Sequence, residues 1–277
     1  MRFFTGLHQP SDAKHFDAAF ISVNRLRNRK SGFDVGDWIM DSGAFTEVSG
    51  HGRYRHSVSE YAEQVRRWKD NGRMLAAAAQ DWMCEDVVLK RAAIADGALR
   101  APEWFDSENT HAYRSLEYVE WAYPCQRDEQ ILLHQTRTIE RYDELIAEVT
   151  GAYILPVLQG FHPNEYVRHI RMYGDRLKHG AWVGVGSVCK RNGDISAIEG
   201  VLLAVHQERP DLLLHGFGLK TTALSSGLVQ ELLHTADSMA WSYAARMAGR
   251  NANDWREAKA WTSQILMRQI QQPLFIL

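Results

Sequence analysis

Three acids lie where short apolar runs give out: Asp41 closing "DWIMD", Asp81 closing "MLAAAAQD", and Asp237 within "TADSMAWSY". Gln159 and Gly160 close a fourth run, "AYILPVLQG", and Gly186 and Ser187 a fifth, "AWVGVGS". A sixth, "LLLHGFG", carries His215 ahead of Gly218 and Lys220. Two carboxylates directed at one sugar carbon suit glycosidic chemistry, one attacking the anomeric carbon and the other handling protons. A third Asp, a Gln and the backbone groups of glycines suit the edge of a purine, with its in-plane donors and acceptors. An aromatic close by, Phe45 in "MDSGAF", suits stacking on such a base. Each residue also has a plainer use. An Asp after a strand caps a helix, a Gln satisfies loop backbone, and glycines make turns. Asp237 fits these uses least, because an acid inside an apolar run is costly unless paired or functional.

The elements that must position these residues follow from the same runs. Eight recur, at 2–6, 18–23, 37–41, 74–81, 152–160, 181–187, 212–218 and 236–243. Most are continuously apolar, as strands buried on both faces are. Amphipathic stretches lie between several of them: "SVSEYAEQVRRWKDNG" with a serine cap, "HPNEYVRHIRMYGD", and "DISAIEGVLLAVHQERP". Eight strands alternating with helices predict a single α/β domain over 1–277, a (β/α)8 TIM barrel. An open doubly wound sheet is the alternative. In a barrel the site lies at the C-terminal ends of the strands, so the three acids converge on one mouth. On this reading Asp237 sits near the start of the eighth run. An insertion is expected over 82–150, irregular and aromatic before the helix "ILLHQTRTIERYDELIAEV". Residues 244–277 read as a helical tail ending in an apolar "PLFIL" that docks on the domain.

Bulk properties narrow the class. The 277 residues are 45% hydrophobic and 24% charged, ordinary for a globular chain with a large core. No apolar run reaches the roughly 20 residues of a membrane span, and "MRFFTGLHQP" has no signal-peptide core. Cys84, Cys125 and Cys189 are odd in number and far apart, which argues against a disulfide framework and for a cytoplasmic location. A net charge of −2 means that nucleic-acid binding needs a local basic patch.

Six of these blocks resemble, in order, the tRNA-guanine transglycosylase superfamily. "MDSGAF" (40–45) looks like its "TDSGGF/Y" strand end, and "AAAAQD" (76–81) sits where the superfamily has an apolar strand ending in "FDE". "VLQG" (157–160) is similar to "VQGG", "VGVGSV" (183–188) to "GGLAVGE", and "LHGFG" (214–218) to "LMGVG". "TADSMAWSYAAR" (235–246) occupies the place of "FDCVMPTR". The closer resemblance is to the DpdA-like branch, the DNA deazaguanine transglycosylases, where "QDWMCE", "GSVC" and "ADSMAWSYAAR" look at home.

The resemblance implies base exchange without a cofactor. By position, Asp237 is the nucleophile on C1′ and Asp41 the general acid/base. Asp81, Gln159 and the Gly186 backbone read the purine edge, Phe45 stacks on it and His215 lies on its other face, with Ser42 and Gly160 beside them. A 7-deazaguanine such as preQ0 or preQ1 is then inserted. Two departures matter. The tRNA enzymes hold a structural zinc through cysteines after the nucleophile strand, and this chain has none after Cys189. A different metal set would have to draw on Cys84, Cys125, Cys189 and His134. The tRNA enzymes' Met-Pro-Thr-Arg is replaced by "AWSYAAR", and no further RNA-binding domain is visible. Both tilt the expected partner from tRNA to DNA, with partner proteins left open.

Positive charge clusters after the strands: Arg25 and Arg27, Lys190 and Arg191, Lys220, Arg246 and Arg250. On a barrel these form a basic rim suited to phosphates, although most such side chains are simply solvated. Aromatics between Trp104 and Tyr123 either stack on flanking bases or, the favoured reading, pack the insertion onto the barrel. Rival activities are tRNA-guanine exchange and hydrolysis of an N-glycosidic bond. A catalytically inert nucleic-acid-binding barrel is a third, opposed by the presence of both Asp41 and Asp237.

Overall fold

The computed structural model describes residues 1–191 and 194–271. Its strands are β1 (Arg2–Gly6), β2 (Ala18–Ser22), β3 (Asp37–Asp41), β4 (Arg73–Ala78), β5 (Ile154–Leu155), β6 (Val157–Leu158), β7 (Trp182–Val185), β8 (Leu213–Gly216) and β9 (Leu233–Ser238). Its helices are α1 (Val58–Trp68), α2 (Asp86–Ala95), α3 (Gln126–Glu148), α4 (Pro163–Tyr173), α5 (Ile195–Glu208), α6 (Thr221–Leu224), α7 (Gly227–Leu232), α8 (Ala240–Met247) and α9 (Trp255–Gln271). The strands form one parallel sheet in the order β5-β4-β3-β2-β1-β9-β8-β7-β6. The architecture is therefore α/β with a nearly closed, barrel-like parallel sheet.

The seam lies at Pro156. The run 152–160, expected as one strand, is two short ones. Ile154 and Leu155 pair with β4, and Val157 and Leu158 pair with β7. Proline between them has no N–H to give to a ladder, while its carbonyl still accepts from Gly184 N–H at 2.8 Å.

Helix starts follow local chemistry. Ser57 caps α1 in a reciprocal box with Glu60, and Asp194 caps α5 by accepting from Ala197 N–H at 3.0 Å. Tyr61, Tyr166 and Tyr173 on α1 and α4 are fully buried against the strands. Inside the barrel, Phe4, Phe20, Ile39, Ala76 and Leu155 form a separate cluster. Side chains alternate along a strand. Two positions past Phe20, Ile39 and Ala76 come Ser22, Asp41 and Ala78, which point to the same interior one layer higher.

Two expectations change. The last strand starts at Leu233, and Ala240–Met247 is helical. His234 and Thr235 made its beginning look polar. Trp241, Ser242 and Ala245 bury one helical stripe. Asp237 thus lies at the C-terminal end of its strand, not near the start. Within 82–150 the expected helix is present as α3, and α2 adds a helix that was not expected. The apolar "PLFIL" lies outside the described residues. No described helix is long and apolar enough to cross a membrane.

Candidate active site

A cavity of about 290 Å³ opens at the C-terminal ends of the strands, lined by Asp41, Asp81 and Asp237 together with Phe45, Gln159 and Gly186. Asp41 ends β3. Gly43 then takes a left-handed φ of 78°, and a Cβ there would meet Asn24 Nδ2 at 2.6 Å, so glycine is required for the turn. The turn returns the chain over the cavity and sets Phe45 on its wall, edge-on to Tyr113 with centroids 6.3 Å apart.

Burial pushes the Asp41 carboxyl up to about 6, with the nearby Asp237 charge adding to the rise. Hydrogen bonding from Ser22 and from the Gly43 and Ser42 backbone opposes it. Burial likewise lifts Asp81 to about 7, against the hydrogen bond from Gln159 and with help from the Asp41 charge. A chain of hydrogen bonds leads to Asp81. Cys84 N–H donates to Ser187 Oγ (3.2 Å), Ser187 donates to Gln159 Oε1 (2.7 Å), and Gln159 Nε2 donates to Asp81 Oδ2. The Gln159 main chain is held by His169 Nδ1, which accepts from its N–H (2.8 Å), and by Gln135 Nε2, which donates to its carbonyl (2.7 Å). Gly186 makes room for this amide, since a Cβ would lie 2.1 Å from Gln159 Nε2.

The nucleophile candidate is anchored through one oxygen. Asp237 Oδ1 accepts from Gly218 N–H at 3.1 Å and lies 3.2 Å from His215 Nε2. His215 Nδ1 is 2.9 Å from Thr235 Oγ1, which accepts from Trp182 Nε1 at 2.8 Å.

Several candidate residues sit apart from their expected contacts. His215 is fully buried behind Asp237, stacked on Phe20 rather than lining the cavity. Gly186 has both backbone groups engaged, its N–H with Leu158 and its carbonyl with Tyr166 OH, so its contribution is space. Ser42 is buried behind the wall, and Gly160 packs against Glu165 and Tyr166 of α4.

The basic rim is smaller than the sequence implied. Arg191 is buried with its guanidinium 4.4 Å over the Phe161 ring and bonded to the Phe161 carbonyl. Arg27 is half-buried and turned toward Asn24, and burial lowers its pKa. Arg250 pairs with Glu257 at 2.7 Å. Of Lys190 only the backbone is described. Arg25, Lys220 and Arg246 are exposed. Arg25 and Arg246 both depress the pKa of His8, after its burial, so both lie near that residue. Sequence reasoning missed His8, Thr235, Trp182, Ser22 and Met239. Only Ser22, at the end of an apolar run, carried a local signal. No three His, Cys, Asp or Glu side chains among the described residues come together to hold a metal ion. The alternative cysteine set is not assembled: His134 Nδ1 donates to the Met83 carbonyl, Cys84 is buried and Cys125 exposed.

In the 101–124 segment Tyr113 and Leu116 are buried and Trp121 Nε1 donates to Asp86, as packing requires, while Trp104, Tyr118 and Tyr123 are exposed.

No curated protein matches the chain. The family described as "DpdA: DeoxyPurine in DNA protein A" matches residues 1–100 and 125–261. The matched stretches carry Asp41, Asp81, Gln159 and Asp237 and pass over the aromatic segment between them. With most of its length matched, site acids included, the chain belongs to the DpdA family.

Proposed function

We propose that this protein is a DNA guanine transglycosylase that exchanges guanine for a 7-deazaguanine base of the preQ0 or preQ1 type. The observation that carries the reading is the convergence of three strand-end acids on one cavity, in a chain whose family is named for deoxypurines in DNA. On this reading the strand pair around Pro156 counts as one bent strand, and the sheet closes as a (β/α)8 barrel.

Asp237 attacks C1′ of the target nucleotide. The C1′–N9 bond breaks, a C1′–carboxylate ester forms, and guanine leaves with a proton from Asp41. The incoming base then gives its N9 proton to Asp41 as N9 attacks C1′, and Asp237 departs as carboxylate. A group near 6 serves both directions at neutral pH. Asp81 and Gln159 hold the base edge, and Phe45 stacks on its face. The cavity, near the small end of ligand sites, suits one base rather than a stacked pair. The target nucleotide must therefore be flipped out or single-stranded.

The test is incorporation of labelled guanine into DNA and, in parallel, into tRNA, with Asp237→Ala as control. Label in DNA alone, lost in the variant, is expected. Label in tRNA alone moves the protein to tRNA exchange, and free base released without incorporation makes it a hydrolase.

A further inference from the structure

Base exchange as described gives no task to the buried groups behind Asp237. They form one continuous line: Trp182 Nε1, Thr235 Oγ1, the His215 ring and Asp237 Oδ1, at successive separations of 2.8, 2.9 and 3.2 Å. Thr235 and His215 are sealed from solvent, and the ring cannot swing. Phe20 stacks on it at 5.8 Å, and Phe217 meets it edge-on at 4.6 Å. An indole N–H only donates, so Thr235 accepts from Trp182 and still has its own hydrogen to offer His215 Nδ1. A carboxylate only accepts, so the ring hydrogen belongs on Nε2, facing Asp237.

We propose that Trp182, Thr235 and His215 are positioning residues that hold the Nε2–H tautomer of His215, tie down Oδ1 of Asp237 and leave Oδ2 as the attacking atom. This rests on Asp237 being the nucleophile. Gly218 N–H supplies the second donor to Oδ1, and no described residue donates to Oδ2. The arrangement acts in both half-reactions. It fixes the direction of attack on C1′. When the incoming base attacks, the C1′–Oδ2 bond breaks and its electron pair returns to the carboxylate. The two donors on Oδ1 stabilise that charge as it forms.

The test has two arms. Histidine ¹⁵N NMR on the whole chain without DNA reads the tautomer directly, with His215 assigned by its loss in His215→Gln. The Nε2–H form is expected, giving way to a mixture in Thr235→Val and restored in Thr235→Ser. In the exchange assay Thr235→Val is expected to lower kcat by about ten- to a hundredfold, below the roughly 10⁴-fold cost of a fully wrong tautomer in a catalytic triad because Gly218 N–H remains. KM for the incoming base stays within about twofold and Thr235→Ser recovers most of the rate, whereas a general loosening of the site would move both constants. If Thr235→Val does not fold, Trp182→Phe probes the far end of the line with a smaller fall in kcat. An imidazolium or an Nδ1–H ring in the wild type overturns the proposal, as does a changed tautomer with unchanged kcat. Failure of the wild type to exchange any base sinks the proposed activity instead, and the NMR arm still decides the tautomer.

Discussion

Asp41 and Asp81 have raised pKa values for a shared reason: each is desolvated in the cavity wall and each is raised further by a neighbouring acid. The consequence for stability has a definite sign. Their ordinary value is 3.8, and their folded values are about 6 and 7. Between those limits the folded chain binds more protons than the unfolded one, so stability falls as pH rises through the window. For Asp81, pushed from 3.8 to about 7, this amounts to at most on the order of 4 kcal/mol. Asp81→Asn removes that dependence. Its melting temperature at pH 8 is expected to exceed the wild type's by several degrees, while base exchange falls by two orders of magnitude or more because the purine edge goes unread. Calorimetry between pH 5 and 8 checks this, and parallel melting curves for the two proteins would contradict it.

At the scale of elements, the sheet supplies the geometry and the turns after it supply the exceptions. Gly186 follows β7 and precedes Ser187, whose φ of 55° is left-handed, and the missing Cβ of Gly186 makes room for the Gln159 amide. Gly186→Ala places a methyl where the Gln159 amide is and breaks its bond to Asp81. The expected result is a KM for the incoming base raised about tenfold or more, with a loss of about 1–3 kcal/mol in stability from overpacking. Steady-state kinetics and denaturant unfolding measure both, and an unchanged KM would mean that Gln159 does not hold the base. By contrast Ser57→Ala, which removes the α1 cap, is expected to cost about 1 kcal/mol and leave exchange kinetics unchanged.

Across the whole molecule, charge is distributed unevenly rather than in excess. With a net charge of −2, the proposed binding to DNA would draw on exposed cations such as Arg25 and Arg246 rather than on the protein's overall field. Replacing either arginine by alanine is expected to weaken DNA binding uniformly across sequences and to flatten the salt dependence by about one phosphate's worth. Arg191→Ala is expected to leave that slope alone and to lower the melting temperature, because its guanidinium packs on Phe161 and holds a loop carbonyl. Binding isotherms at several salt concentrations separate the two cases, and a slope change in Arg191→Ala would return that residue to the rim.

The apolar runs and the acids that end them were legible in the sequence because each is a local pattern: a buried strand is apolar along its length and stops at the surface of the core. That determined the α/β class, most strand positions and the three acids of the site. The seam at Pro156 was not read from the sequence, where 152–160 passes as one strand, although a residue without an N–H stands inside that run. What the sequence could not state is which side chains meet. Thr235 reads as a polar residue before a strand until its pairing beside β8 puts it against His215. Trp182 comes from the next strand beyond. Arg191 reads as a surface cation until its loop folds back onto Phe161. Such contacts join residues tens of positions apart, and only the closing of the sheet brings them within hydrogen-bonding distance.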